Sequence, residues 1–503
     1  MLRSKPISKK LRQLQKEIQG YADDYGLDYF DQVFEMCDYE TINILAAQGR
    51  FPSRYPHWKF GMQFDQLTKG YRYGLQEIYE MVINTDPCYA YLLDVNNWID
   101  QKLVMAHVYG HNDFFKNNLW FKSTDRNMMD VMANNGSKIR RYMKKYGIDR
   151  VEKFIDAVLS LENLLDVSEL FENEEVRRSR RETEQVFAYE NSSEYEQVDN
   201  RSDALKSFLK SAARNEKNNS ATGDEPEKLE IPSKIPVSPQ KDVLRFLMNF
   251  APIEQWESDI IGMLREEAYY YLPQRMTKIM NEGWASYWHS KIMTERALDS
   301  SEIIDFADKH AGVMVMNEKN INPYKVGIEL MRDIEHRWDT GKFGKEYNEC
   351  TNMQEKHAWD LKLGKGREKI FQVRQSHNDI TFIDEFLTPE FCERQKLFVY
   401  KYNPRNERFE VDTRDFEGIK QKLLSQLTNF GSPLISITDA NYKNRAELLL
   451  EHTHYGVDLD VSFTEQTMKN LYRIWKRPIN LASKSEEKEV VFHFNGKEFS
   501  TKS

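Results

Sequence analysis

The chain has 503 residues, enough for about three domains, and its 40% hydrophobic and 30% charged residues have the balance of a globular protein with a sizeable core. A formal net charge of −9 argues against nucleic acid or an anionic membrane surface as the main partner. No stretch has the apolar length of an integral membrane segment, the basic amino terminus lacks the apolar core of a secretory signal, and Cys37, Cys88, Cys350 and Cys392 form no CxxC pair, so the expected compartment is a reducing cytoplasm.

Residues 1–190 are read as an N-terminal helical half. Its clearest helix runs from Trp98 to Asn118, where Leu103 to Tyr109 is apolar on every side except at His107, the pattern of a helix inside a core. The basic runs KIRRYMKK (Lys138 to Lys145) and RRSRR (Arg177 to Arg181) fit solvated helix faces. From 191 to 240 the sequence turns to Ser, Asn, Pro and charge with almost no large apolar residue. Such a stretch cannot offset its ordering entropy, so a flexible linker or insertion is expected there; its tail is alternatively a polyproline-like strap.

Residues 241–375 are read as a second helical half that packs with the first. Pro252 and Pro273 divide it. Trp256, Ile260, Leu264, Glu267 and Tyr271 share one face by three-and-four spacing, so Glu267 points where apolar residues point. In MNEGWASYWH, Met280, Trp284, Tyr287 and Trp288 form a seam, with Glu282 and His289 on the other side. There the small Ala285 and Ser286 allow another element to approach closely. Asn322 followed by Pro323 marks a helix start.

Residues 376–503 are read as a C-terminal α+β domain of paired short strands, an amphipathic helix over FTEQTMKNLYRIW, and a hairpin whose two-residue turn is Asn495-Gly496. The expected architecture is therefore a mainly α-helical large domain with a small α+β domain appended.

Several side chains are candidates for chemistry. His107 and His111 are four apart on a helix and project from one face, the spacing that holds a single divalent metal ion; the alternative is two hydrogen-bonded core histidines. Glu282 is the candidate third ligand. His289, two turns further on, is too far along the helix to bind the same ion and is a candidate for contacting a ligand or the substrate. Glu267, with neighbouring Glu266, is a candidate general acid or base if burial raises its proton affinity; the alternative is a buried ion pair with an arginine such as Arg275. Tyr324 is a candidate oxyanion donor or a packing residue. His57, in a loop, could approach the site or pack on the core. His452 and His454, alternating on a strand, form a weaker second metal pair or are exposed histidines. There is no Walker loop, GxGxxG or GxSxG.

SRYPHWKFGMQF, YEMVINTDPCYAYL, AHVYGHNDFFKNN, REEAYYYLPQRMTKIMNEGWASYWHS, NEKNINPYKVGIELMRDIEHRWD, LLLEHTHYGVDLD and LYRIWKRPINL occur in order over nearly the whole chain. Together they resemble the stage V sporulation protein R family. The resemblance implies a bacterial, cytoplasmic protein (of the mother cell in a spore former). It implies action in formation of the spore cortex, a modified peptidoglycan, or in the stress response of non-sporulating relatives. It also implies a PrkA-type serine kinase and a von Willebrand-type protein as partners. A second similarity is to zinc peptidases of the Glu-zincin type. HVYGH and NEGWA resemble their two ligand helices in order, and YKVG resembles a Tyr-x-x-Gly helix that follows in some of them. This similarity implies a zincin-like helical core and zinc as the ion. The position of the catalytic glutamate holds Val108, so peptidase chemistry needs another base, for which Glu267, Glu266 and Asp113 are the candidates. Two functions follow: a metal-dependent, hydrolase-like enzyme, or a non-catalytic regulator or scaffold of envelope or stress functions.

Overall fold

The computed structural model describes residues 4–72, 80–171, 236, 238–316, 321–485 and 488–502. The expected linker lies outside the described residues except at its end, as does the RRSRR run. The chain forms two compact units, Met1–Asp156 with Met263–Ser432, and Ala157–Gly262 with Pro433–Ser503.

The first unit is mainly helical, and its amino-terminal part, mostly helical as the sequence pattern predicts, also carries a sheet that the pattern does not reveal. Strands β1 (Ser4–Pro6), β2 (Gln32–Cys37), β3 (Glu80–Ile83) and β4 (Cys88–Leu93) form one sheet in the order β1-β2-β4-β3, with β2 and β4 parallel. β4 reads CYAYLL and is buried along nearly its whole length. A short apolar run of that kind has no polar face to reveal a period of two, so it passes for a piece of buried helix.

After β4 the chain enters the long helix Trp98–Asn117, whose N-cap Asn97 accepts from the Asp100 backbone N–H. That helix is buried from Val104 through Phe115. It shares one core with Phe34, Ala90 and Leu92 of the sheet, with Met280, Trp284 and Trp288 of the Lys278–Ile292 helix, and with Ile328, Met331 and Ile334 of the Pro323–Thr340 helix. Phe382, Phe386, Phe391 and Ile419 join the same core. Residues 376–432 thus pack within the first unit, and the boundary falls between Ser432 and Pro433 instead of near 376.

Small residues let the three central helices approach. A Cβ on Gly110 would stand 2.7 Å from the Ala285 Cα, and one on Gly327 would stand 2.2 Å from the Ile279 carbonyl oxygen and 2.6 Å from the Gly283 Cα. The glycines of HVYGH, NEGWA and YKVG are therefore crossing points of backbone on backbone. Asn322 caps the Pro323–Thr340 helix as the sequence predicts, accepting from Tyr324 and Lys325. The start of the Lys278–Ile292 helix is held from outside: the Asp379 carboxylate accepts the Ile279 and Met280 N–H groups at 2.9 Å each.

The second unit carries a five-stranded sheet, ordered β11-β10-β9-β8-β7, of β7 (Ile435–Tyr442), β8 (Glu447–His452), β9 (Ile479–Ser485), β10 (Lys488–Phe494) and β11 (Phe499–Lys502). β8 and β9 are parallel, with the Val461–Trp475 helix in the connection between them. Gln240 bridges to Ile437, so this end of the expected linker is paired backbone. Phe494 faces Phe499 across the last hairpin, which makes the turn the four residues 495–498 instead of a two-residue Asn-Gly turn. The Asn495 side chain accepts from Lys497 and Glu498 within it, with Gly496 at positive φ. The Arg408–Thr413 strand β6 and its partner β5 (Val399–Asn403) form a separate antiparallel pair in the first unit.

Candidate metal centre

The Trp98–Asn117 and Lys278–Ile292 helices cross at Gly110 and Ala285, and the close approach brings HVYGH against NEGWA. His107 Nε2 lies 3.5 Å and His111 Nε2 lies 3.4 Å from the same Glu282 oxygen, Oε2. One donor atom from each residue falls within 4.8 Å of the others, and among the described residues no other group of three or more His, Cys, Asp or Glu side chains does this. Both imidazoles are buried. The Glu282 Oε2 atom is buried with no hydrogen-bond partner, a costly state for a carboxylate oxygen unless something positive faces it. Burial raises the Glu282 proton affinity, but positive charge on His111 and His107 opposite it, present when those rings are protonated, outweighs that and holds its carboxyl well below the usual range.

The other ring nitrogens are engaged. His111 Nδ1 is 2.9 Å from Asn281 Oδ1, which accepts the imidazole N–H and leaves Nε2 with its lone pair toward Glu282. His107 Nδ1 is 2.8 Å from His289 Nδ1, and His289 Nε2 is 3.3 Å from His310 Nδ1. With a lone pair on His107 Nε2, the N–H groups of this row point outward in turn, from His107 to His289 to His310. Burial and then the neighbouring His107 and His310 push the His289 pKa well below its ordinary value, so His289 is a neutral acceptor. Asn281 and His310 were not legible as candidates. Asn281 is adjacent to Glu282 but carries no periodic signal, and His310 lies on a separate helix, Ile303–Val313.

The pair Glu282 and His289 was expected on a face opposite the aromatic seam. In the structure that face is also interior, since the helix is enclosed by neighbours on all sides. His111, Glu282, Asn281 and Tyr324 line one cleft, and the Tyr324 ring stacks toward His107 with centroids 6.2 Å apart.

The remaining candidates lie elsewhere. Glu267 is ion-paired with an arginine, Arg54, and Arg54 also donates to the Gln48 carbonyl at 2.8 Å. Burial raises the Glu266 pKa, but neither glutamate lines the cleft. Asp113 is fully buried, accepting from the Asp28 N–H at 2.8 Å and from Trp284 Nε1 at 2.7 Å. Burial lifts its carboxyl to about 6 despite Arg374 nearby. His57 Nε2 sits 3.4 Å from Asp156, away from the cleft. His452 ends β8 and bonds Ser483 at 2.9 Å, His454 lies just beyond the strand and bonds Asp458 at 2.8 Å, and the two rings stand edge to face with centroids 5.8 Å apart.

Residues 7–432 match the family model described as SpoVR like protein. The chain belongs to that family. Residues 433–486 of this SpoVR-like protein match the SpoVR-like C-terminal domain, and the junction coincides with the Ser432/Pro433 boundary between the compact units. Membership gives the chain a sporulation-associated background. The protein is 27% identical over 497 residues to "Uncharacterized protein YcgB" of Escherichia coli (strain K12), covering 94% of this chain and 92% of that relative. No solved structure matches. No helix of the described residues is long and apolar enough to cross a membrane.

Proposed function

We propose that His107, His111 and Glu282 hold a divalent metal ion, most fittingly zinc, through His107 Nε2, His111 Nε2 and a Glu282 oxygen. The observation that carries this reading is the buried, unpartnered Glu282 Oε2 facing two imidazole nitrogens whose opposite nitrogens are both engaged. A two-imidazole, one-carboxylate set suits zinc and leaves a further position for water or substrate. An ion there supplies a Lewis acid that polarises a carbonyl or activates water.

The chain's own residues then have definite tasks. Asn281 and His289 fix the orientation of the ligand imidazoles, and the Tyr324 ring borders the cleft where a reacting carbonyl would sit. On this reading the protein is a metal-dependent, hydrolase-like enzyme of spore cortex formation, acting on a cytoplasmic precursor or fragment of peptidoglycan. A second reading has its own support. Val108 is fully buried and stands at the position of the base in the zinc peptidases that HVYGH resembles, and Glu282 is the sole carboxylate among the described residues that line the cleft. That favours a regulator whose metal centre senses or positions a ligand without turnover, working with the PrkA-type kinase system.

Elemental analysis of protein purified without chelator or nickel resin tests the shared premise. About one divalent ion per chain is expected, and His107→Ala or Glu282→Gln should abolish it while circular dichroism stays unchanged. A metal-free wild type, or full occupancy in both variants, overturns it. Dependence of the sporulation or stress phenotype on Glu282 then separates a working centre from a scaffold that does not need it.

A further inference from the structure

The cleft in front of His111 and Glu282 has a volume of about 800 Å³, the size of a site for a small molecule or a short extended chain. Its charge is one-sided. Arg50, Arg275 and Lys278 stand around it, and Gln63, Gln66 and Gln274 add amides. Among the described lining residues Glu282 is the only carboxylate, and it is turned onto the imidazoles. Arg275, Lys278 and Glu282 are spaced by three and four residues across the junction at Thr277, so the cations lead along one stripe to the ligand.

Two of these cations, Arg50 and Lys278, make no close ion pair with an internal acid among the described residues. The Arg50 guanidinium donates to the neutral Gln274 amide at 3.2 Å. Arg275 lies over the Phe430 ring, 4.1 Å from its centroid. In a chain of net charge −9, a positive wall of this kind is a local departure with a direction, and it faces the metal ligands.

We propose that the cleft takes an anionic, extended substrate whose oxyanion groups, carboxylate or phosphate, rest on Arg50 and Lys278 while its reacting group meets His107, His111 and Glu282. This rests on the metal reading above for the position of the reacting group, but not for the anion site itself.

The test uses the full chain loaded with zinc and three series of hydroxamates of graded length, ending in a carboxylate, a phosphonate or a neutral amide, titrated by calorimetry. At the fitting length a charged tail should bind about tenfold tighter than the amide. The preferred tail tells which oxyanion the site selects. The advantage should fall severalfold in Arg50→Gln and Lys278→Gln and shrink with added salt, with the amide series unaffected. Equal affinities at every length, or an advantage that survives the double variant, overturn the proposal. If no hydroxamate binds, the metal reading fails, and tricarballylate titrated into chelator-treated protein decides the anion site alone. Binding lost in the double variant supports it, whereas no binding, or binding unchanged, sinks it.

Discussion

Arg54 has a nearly inaccessible side chain and is held by Glu267 and by the Gln48 carbonyl. Truncating it strands a carboxylate with little access to water, so Arg54→Ala should lower stability by about 3 kcal/mol in urea unfolding. Glu267→Gln keeps the shape and a hydrogen-bond acceptor and should cost less, while leaving metal content unchanged. Were Glu267 the base of a hydrolytic reaction, the same variant would remove turnover without touching stability, so the pair of measurements separates the two roles. From the sequence alone, an acid on an apolar face reads equally as base or as ion pair, because periodicity says where a side chain points and not what it meets. The histidine pair is more legible, since a four-residue spacing on a helix itself sets two imidazoles on one side. Which way each ring turns is decided by Asn281 and His289, from another helix, and no local pattern encodes that.

At the scale of elements, the centre depends on how closely three helices pass. Gly327→Ala would push a methyl into the Ile279 carbonyl and the Gly283 backbone. We expect a loss of about 2 to 3 kcal/mol by denaturant unfolding and weaker metal retention, since the Lys278–Ile292 helix must shift. Gly312, whose Cβ would meet nothing within 4 Å, is the matched control. The amino end of the same helix sets a pH response. Burial raises the Asp379 carboxyl to about 7, more than the backbone N–H groups it accepts can offset, against an ordinary value of 3.8. Between those values the folded state holds a proton that the unfolded chain has released, so this group's contribution to stability falls as pH rises from about 4 to 7 and is level above. The stability difference between wild type and Asp379→Asn should therefore shrink across that window. A difference that stays flat from pH 5 to 8 would show that Asp379 does not titrate there. These contacts escape sequence reasoning for one reason: Asp379 lies about 100 residues from the helix it caps. The β2–β4 pair escapes for another, as an apolar six-residue strand buried on both faces carries no alternation.

For the whole molecule, composition and helical periodicity conveyed a mainly helical body and a small sheet-bearing carboxyl-terminal part, because amphipathic helices and hairpins are local. The partition did not follow from them. Phe382, Phe386, Phe391 and Ile419 read as the start of a new domain, yet they fill the main core. Only the tertiary arrangement shows that the first unit is made of two separated stretches of chain.

That discontinuity bears on when the centre can exist. His107 and His111 belong to the stretch ending at Asp156, and Glu282 to the one that begins at Met263. During synthesis the two imidazoles emerge long before their carboxylate, and the chain between must be looped out before the three can meet. A nascent chain halted at Gly262 should therefore leave zinc in the medium, and capture of the ion becomes a late event that certifies completed assembly of the first unit.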